Sequence, residues 1–147
     1  MTKEIALTFD DGPWGIRTVR VLDELTNRKI PATFMIWGVH MAEYPEILKV
    51  AAENELFAFG NHTYHHRHLT DLSDKEILSE LNKTDDLFYE LTGEKLDFVR
   101  PPFGDCEYHT LDIIRRPLIC WSLDTMSWDH GNPAKCVETI HKAKDGD

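Results

Sequence analysis

Cations are scarce in this chain: 16 Lys and Arg stand against 26 Asp and Glu, a formal net charge of -10. That deficit argues against binding to nucleic acid, because affinity for phosphate backbones comes mainly from clustered Lys and Arg. It also disfavours strongly anionic polymers. A neutral or cationic substrate fits better, although a local pocket can differ in sign from the whole surface. No apolar run reaches membrane-spanning length, and no tract is of low complexity. Cysteine is sparse too. Cys106, Cys120 and Cys136 are odd in number and lack CxxC spacing, which implies neither a disulfide framework nor a thiolate zinc site. No signal peptide is visible, because Met1-Thr2-Lys3 leads straight into strand-like sequence. The chain is therefore expected to be cytoplasmic, to begin after a removed export segment, or to start at an arbitrary cut.

A length of 147 residues suits one hydrophobic core and is short for two, so a single domain over 1–147 is expected. Strand-like and helix-like segments alternate with little between them, the pattern of a parallel α/β architecture. Strands are expected at 5–9, 32–38, 56–60, 97–100 and 118–123. Ile16, Val19, Leu22 and Leu25 recur at a spacing of three and mark a helix over 16–28. A second helix is expected over 45–54, with Pro45 in its first turn. Ser73-Asp74-Lys75-Glu76 has the form of a capping box opening a long helix closed by Gly93. A last helix is expected over 133–143. Four strands end where unusual polar residues begin, at Asp10-Asp11, Asn61-His62, Arg100 and Asp124. In parallel α/β folds the loops at the carboxyl ends of the strands assemble the site.

Asp10 and Asp11 close the first apolar run before Gly12-Pro13. Neighbours on an extended backbone point to opposite sides, so the two cannot do the same job unless the chain turns between them. One could bind a cation while the other handles a proton; a turn that simply favours Asp and Gly is the conformational alternative. Half of the eight histidines, His62, His65, His66 and His68, crowd into one short stretch. On a helical turn His62 and His66 would share one side and chelate one ion, with His65 and His68 pointing elsewhere. Imidazole nitrogen plus one carboxylate oxygen suits zinc, cobalt or nickel better than magnesium or calcium, and leaves an open position for water.

Arg100-Pro101-Pro102-Phe103-Gly104 sets a charged group on a stiff turn. Arg100 could orient a carboxylate, and the Phe103 amide is the first free donor beyond the prolines. Trp121 is expected in the core. Trp128, past the end of the fifth strand, could wall a groove facing a sugar.

Taken in order, these segments resemble the polysaccharide deacetylases of carbohydrate esterase family four, the NodB-like deacetylases. TFDDGP is similar to that family's first motif, His62-Thr63-x-x-His66 to its second, RPPFG to its third, and Asp124-Thr125-Met126-Ser127-Trp128 to a variant of its fourth. The resemblance implies a distorted, incomplete (β/α) barrel with fewer than eight strands. It makes Asp11, His62 and His66 ligands of one divalent ion, zinc foremost, with cobalt or nickel compatible. Asp10 becomes the base that activates water, Arg100 its tether, and the Phe103 amide an oxyanion donor; Pro102, Phe103 and Trp128 become substrate contacts. The implied reaction is hydrolysis of an acetamide or acetyl ester on a glycan such as chitin, peptidoglycan or acetylxylan. A secreted or cell-envelope location also follows from the resemblance.

Two departures stand out. Ser127 occupies the place before Trp128 where the family usually has Asp, and the Leu-x-His motif that carries the family's catalytic histidine has no counterpart in the 147 residues. His130 and His141 are poor substitutes. A truncated chain, or one whose remainder is disordered or supplied by another piece, is the economical expectation, and the stretch from Asp105 to Arg116 looks short for the helix expected there. A non-catalytic sugar-binding relative and a hydrolase of small or cyclic amides are the competing readings.

Overall fold

A computed structural model describes residues 4–147. By their internal contacts these fall into Thr8–Ile119 and a smaller unit joining the residues up to Leu7 with Cys120–Asp147. Within the larger unit three parallel strands, β1 (Thr8–Gly12), β2 (Ala32–Ile36) and β3 (Phe57–Asn61), lie in the order β1-β2-β3. Single parallel bridges then extend the sheet from Asn61 to Val99 and from Val99 to Leu118. Helices separate the strands: α1 (Gly15–Arg28), α2 (Gly38–Glu43), α3 (Pro45–Ala52), α4 (Asp74–Thr92) and α5 (Tyr108–Ile114). This is the incomplete (β/α) architecture expected.

Register comes from side chains of period two. Phe9 pairs with Phe34, and Phe34 with Phe59. The rings follow the pairing, with centroids 5.3 Å apart for Phe9 and Phe34 and 6.1 Å for Phe34 and Phe59, and Phe59 then meets Phe88 of α4. A one-residue slip would turn all three rings to the other face. Buried Met35 and Gly60 occupy that other face, and a methyl group added to Gly60 would strike Phe98 and the Met35 sulfur.

Local signals set the helix ends. The Ser73 amide donates to Glu76 Oε2 at 2.9 Å in the expected capping box. Gly93, at φ 77°, closes α4 by donating to Tyr89 O, and Pro45 opens α3. Behind α4, Leu69, Leu72, Ile77, Leu81, Val99 and Ile114 form a buried cluster.

Four expectations are corrected. The first strand is Thr8–Gly12 and not 5–9, because the preceding segment bonds elsewhere: Ala6 N–H donates to Asp147 O and Gly146 N–H to Glu4 O. The strands at 97–100 and 118–123 shrink to the bridges at Val99 and Leu118, since Pro101 and Pro102 end regular pairing directly after Arg100. The six residues Gly38–Glu43, with Trp37 as N-cap, form a helix where none was expected. Trp121 is not core but 42% exposed. In the smaller unit, α6 (Ser127–His130) and α7 (Pro133–Ile140) follow, the latter capped by Asn132, whose side chain accepts from Ala134 N–H. The segment from Asp105 to Arg116 holds the seven-residue α5, with Glu107 as its N-cap. Among the described residues the three cysteines form no disulfide with one another, and no described helix is long and apolar enough to cross a membrane.

Gly38→Ala tests a close approach of backbone to backbone in the larger unit. The new methyl would lie 2.8 Å from the Tyr64 Cα, which is backbone and cannot rotate away. A loss of about 1–3 kcal/mol is expected, read from urea denaturation midpoints.

Candidate metal centre

Regular pairing in β1 breaks between Phe9 and Gly12, and Asp11 sits at φ 68°. Such a bulge costs ladder bonds but re-aims a side chain. Thr8 and Asp10 follow the ordinary alternation and share one partner: Arg100 Nη1 donates to Thr8 Oγ1 at 2.9 Å and to Asp10 Oδ1 at 2.6 Å. Asp11 would alternate to the opposite face. The left-handed residue turns it back, so that Asp11 Oδ1 lies 3.3 Å and Asp10 Oδ2 4.0 Å from the same atom, His62 Nε2.

His66 Nε2 is 3.1 Å from Asp11 Oδ1, and one ligand atom from each of Asp11, His62 and His66 lies within 4.8 Å of the others. The two histidines do not share a helical turn, contrary to the expectation from their spacing. They stand on a loop after β3 in which Thr63 (φ 66°) and His66 (φ 56°) are left-handed. The loop is held from outside. Asn61 Oδ1 accepts from Thr63 N–H, and Glu80 Oε2 from α4 accepts from Tyr64 N–H at 3.1 Å and His65 N–H at 2.7 Å. His65 and His68 face away, Nδ1 of each lying near Glu80 Oε1 and Asp105 Oδ2 respectively. Glu80 is buried and was not anticipated; in sequence it is one more acidic residue on an amphipathic helix.

The donor set fits a divalent cation. His62 Nδ1 lies 2.7 Å from the Arg100 carbonyl; a carbonyl only accepts, so Nδ1 carries a proton and Nε2 is the atom left to offer a lone pair on the Asp11 side. Asp11 Oδ1 is buried and completes no well-formed hydrogen bond. Two acceptors facing one another call for a positive charge. Without an ion, a proton on Nε2 of His62 or His66 supplies that charge: burial alone would raise the Asp11 carboxyl, but hydrogen bonds and positive charge from the two rings outweigh it and hold the group well below the usual carboxylate range.

Arg100 is 2% exposed and its Nε donates to Ile119 O at 2.9 Å, so its guanidinium is fixed against Asp10 by the neighbouring sheet position. Beyond the prolines, Phe103 adopts φ 61° in a short turn closed by bonds from Gly104 N–H to Pro101 O and Asp105 N–H to Pro102 O. The Phe103 ring stacks on His68 at 4.0 Å and meets His66 edge-on at 4.7 Å, beside the triad. Pro102, expected to touch substrate, is buried and shapes the turn. In the smaller unit Trp128 is 75% exposed on α6, and its indole N–H is directed at Asp124 Oδ2 at 3.3 Å.

A family model described as polysaccharide deacetylase matches residues 1–116. The chain is 36% identical over 128 residues to a peptidoglycan-N-acetylglucosamine deacetylase of Bacillus cereus, covering 85% of this chain and 46% of that protein. The structure of the peptidoglycan deacetylase PdaC from Bacillus subtilis superposes with a TM-score of 0.93 at 35% identity, covering 97% of this chain and 71% of that one. A family-four pseudoenzyme from Bacillus anthracis superposes with a TM-score of 0.87 at 27% identity, over 98% and 52%. The chain spans less than half the length of the curated relatives it matches first.

Glu80→Ala strips the acceptor from two loop amides and is expected to cost about 1–3 kcal/mol, measured by denaturation of metal-free protein. The Asp11 carboxyl titrates lower folded than unfolded, so its stabilisation is present above the unfolded value of about 3.9 and is lost as pH falls below it. Metal-free Asp11→Asn should therefore lose stability less steeply than the parent on acidification, as read from urea midpoints across the acid range.

Proposed function

The chain belongs to the polysaccharide deacetylase family, and we propose that it is a metal-dependent hydrolase that releases acetate from an acetylated glycan, peptidoglycan first among the candidates. The observation that carries this reading is the pair of consecutive carboxylates converging on one histidine, one grouped with His66 and the other paired with Arg100. A mere binder of sugar needs no second carboxylate there. The peptidoglycan preference rests on what the relatives are named to act on.

Asp11, His62 and His66 would hold the ion, zinc being the best match to two imidazoles and one carboxylate. When bound, the ion supplies a Lewis acid that acidifies water and polarises the acetyl carbonyl. Asp10 is the general base: Arg100 occupies Oδ1, which leaves Oδ2 on the His62 side to accept a proton from the attacking water. The Phe103 amide, beside His66, donates to the oxygen on which negative charge develops; such a donor is typically worth about 3 kcal/mol. Collapse of the tetrahedral adduct then breaks the bond to the acetyl carbon, and the proton taken by Asp10 passes to the departing nitrogen or oxygen, giving acetate and a free amine or hydroxyl.

A second reading, a glycan-binding relative without turnover, is favoured by Ser127 before Trp128 and by the likeness to a pseudoenzyme. Acetate-release assays on peptidoglycan glycan, chitin oligosaccharides and acetylxylan separate the two. Asp10→Asn is expected to lower turnover by about 10²–10⁴-fold with metal content unchanged, and the His62→Ala, His66→Ala double variant to lose the metal. Turnover that survives Asp10→Asn would remove the base assignment; glycan binding without acetate release would establish the second reading.

A further inference from the structure

Asp11 belongs to the part of β1 that leaves the ladder, between the Phe9 to Phe34 and Gly12 to Ile36 pairings. A carbonyl displaced from its ladder in a part-buried position needs another donor. His40, on α2, provides one: its Nδ1 lies 2.6 Å from Asp11 O. Because a carbonyl only accepts, Nδ1 carries the proton. The ring itself is buried and clamped between Trp14 and Trp37, with centroids 3.9 Å and 4.0 Å away. An imidazole needed only to fill space between two indoles would have no reason to aim a donor at that one carbonyl.

The same helix reaches the other ligand segment. Gly38 N–H donates to Thr63 O and Val39 N–H to Tyr64 O, while Trp37 N–H donates to Gly12 O. The Trp37 ring lies 5.1 Å from His66. One short element thus braces both the bulge that carries Asp11 and the loop that carries the histidines.

We propose that His40 is a positioning residue of the metal centre: by donating Nδ1–H to the Asp11 carbonyl it holds the left-handed bulge that aims the Asp11 carboxylate at His62 and His66. This rests on the reading of those three residues as a metal site. Groups that orient metal ligands typically contribute about 10–100-fold to affinity, and here the oriented part is the ligand's backbone.

Zinc titration by calorimetry and the absorption spectrum of the cobalt form, both on the full chain, provide the test. His40→Leu is expected to bind zinc about 10–100-fold more weakly and to alter the cobalt spectrum. His40→Asn, whose amide places a donor near the position of Nδ1, is expected to bind like the parent. His40→Leu binding as tightly as the parent, or His40→Asn binding as weakly as His40→Leu, would overturn the proposal. Should His40→Leu fail to fold, His40→Asn and the imidazole ¹⁵N spectrum of the parent decide: the Nδ1–H tautomer at His40 is expected, and the Nε2–H tautomer overturns the role. A parent that binds neither metal overturns the metal reading itself and the role with it; a parent that binds, with His40→Leu unaffected, overturns the role of His40 alone.

Discussion

A single left-handed residue decides what this site can be. Had β1 stayed extended, Asp10 and Asp11 would face opposite sides of the sheet, and no spacing of histidines could use both. At φ 68° Asp11 is turned to the side of Asp10, and the two carboxylates meet at His62 Nε2. An Asp in this conformation is tolerated where most side chains are not. What it costs the backbone is offset by bonds from outside the strand, of which the one from His40 is the most direct.

The rest of the larger unit reads as support for that turn. The stacked Phe9, Phe34 and Phe59 lock the register of three strands, which brings the carboxyl ends of β1 and β3 to the same edge of the sheet on either side of β2. Arg100 then ties the cluster together from a fourth position. Its guanidinium holds Thr8, Asp10 and Ile119 while its carbonyl fixes the tautomer of His62. Base and ligand are thereby linked through one residue: the carboxylate that takes a proton and the imidazole that offers a lone pair are oriented by two ends of the same Arg.

Legibility followed the range of the interaction. The Ser73 to Glu76 cap, the Gly93 stop and Pro45 at a helix start are contacts within a few residues, and the sequence displays them directly. Asp10, Asp11, His62, His66, Arg100 and Phe103 were visible because their types and order are distinctive, and the structure brings them together. The means of assembly was not visible. Spacing of four suggested a helical turn for His62 and His66, whereas a loop with two left-handed residues, braced by Glu80 from α4, does the work. Glu80 and His40 carry no local mark, since each acts on a segment distant in sequence. The strand boundaries at Thr8, Val99 and Leu118 were misjudged for a related reason: apolar runs show where a strand can form, while the available partner shows where it does.

The sequence by itself determined the chemical inventory and the family: which donors exist, in what order, on an alternating α/β chain. Tertiary structure alone decided that two adjacent carboxylates share a face, that His62 presents Nε2 and not Nδ1, and that a buried histidine and a buried glutamate hold the two ligand-bearing segments. The physical reason is that residue types are set one at a time. Backbone sign, tautomer and burial are settled only when distant segments meet and their polar groups must be satisfied.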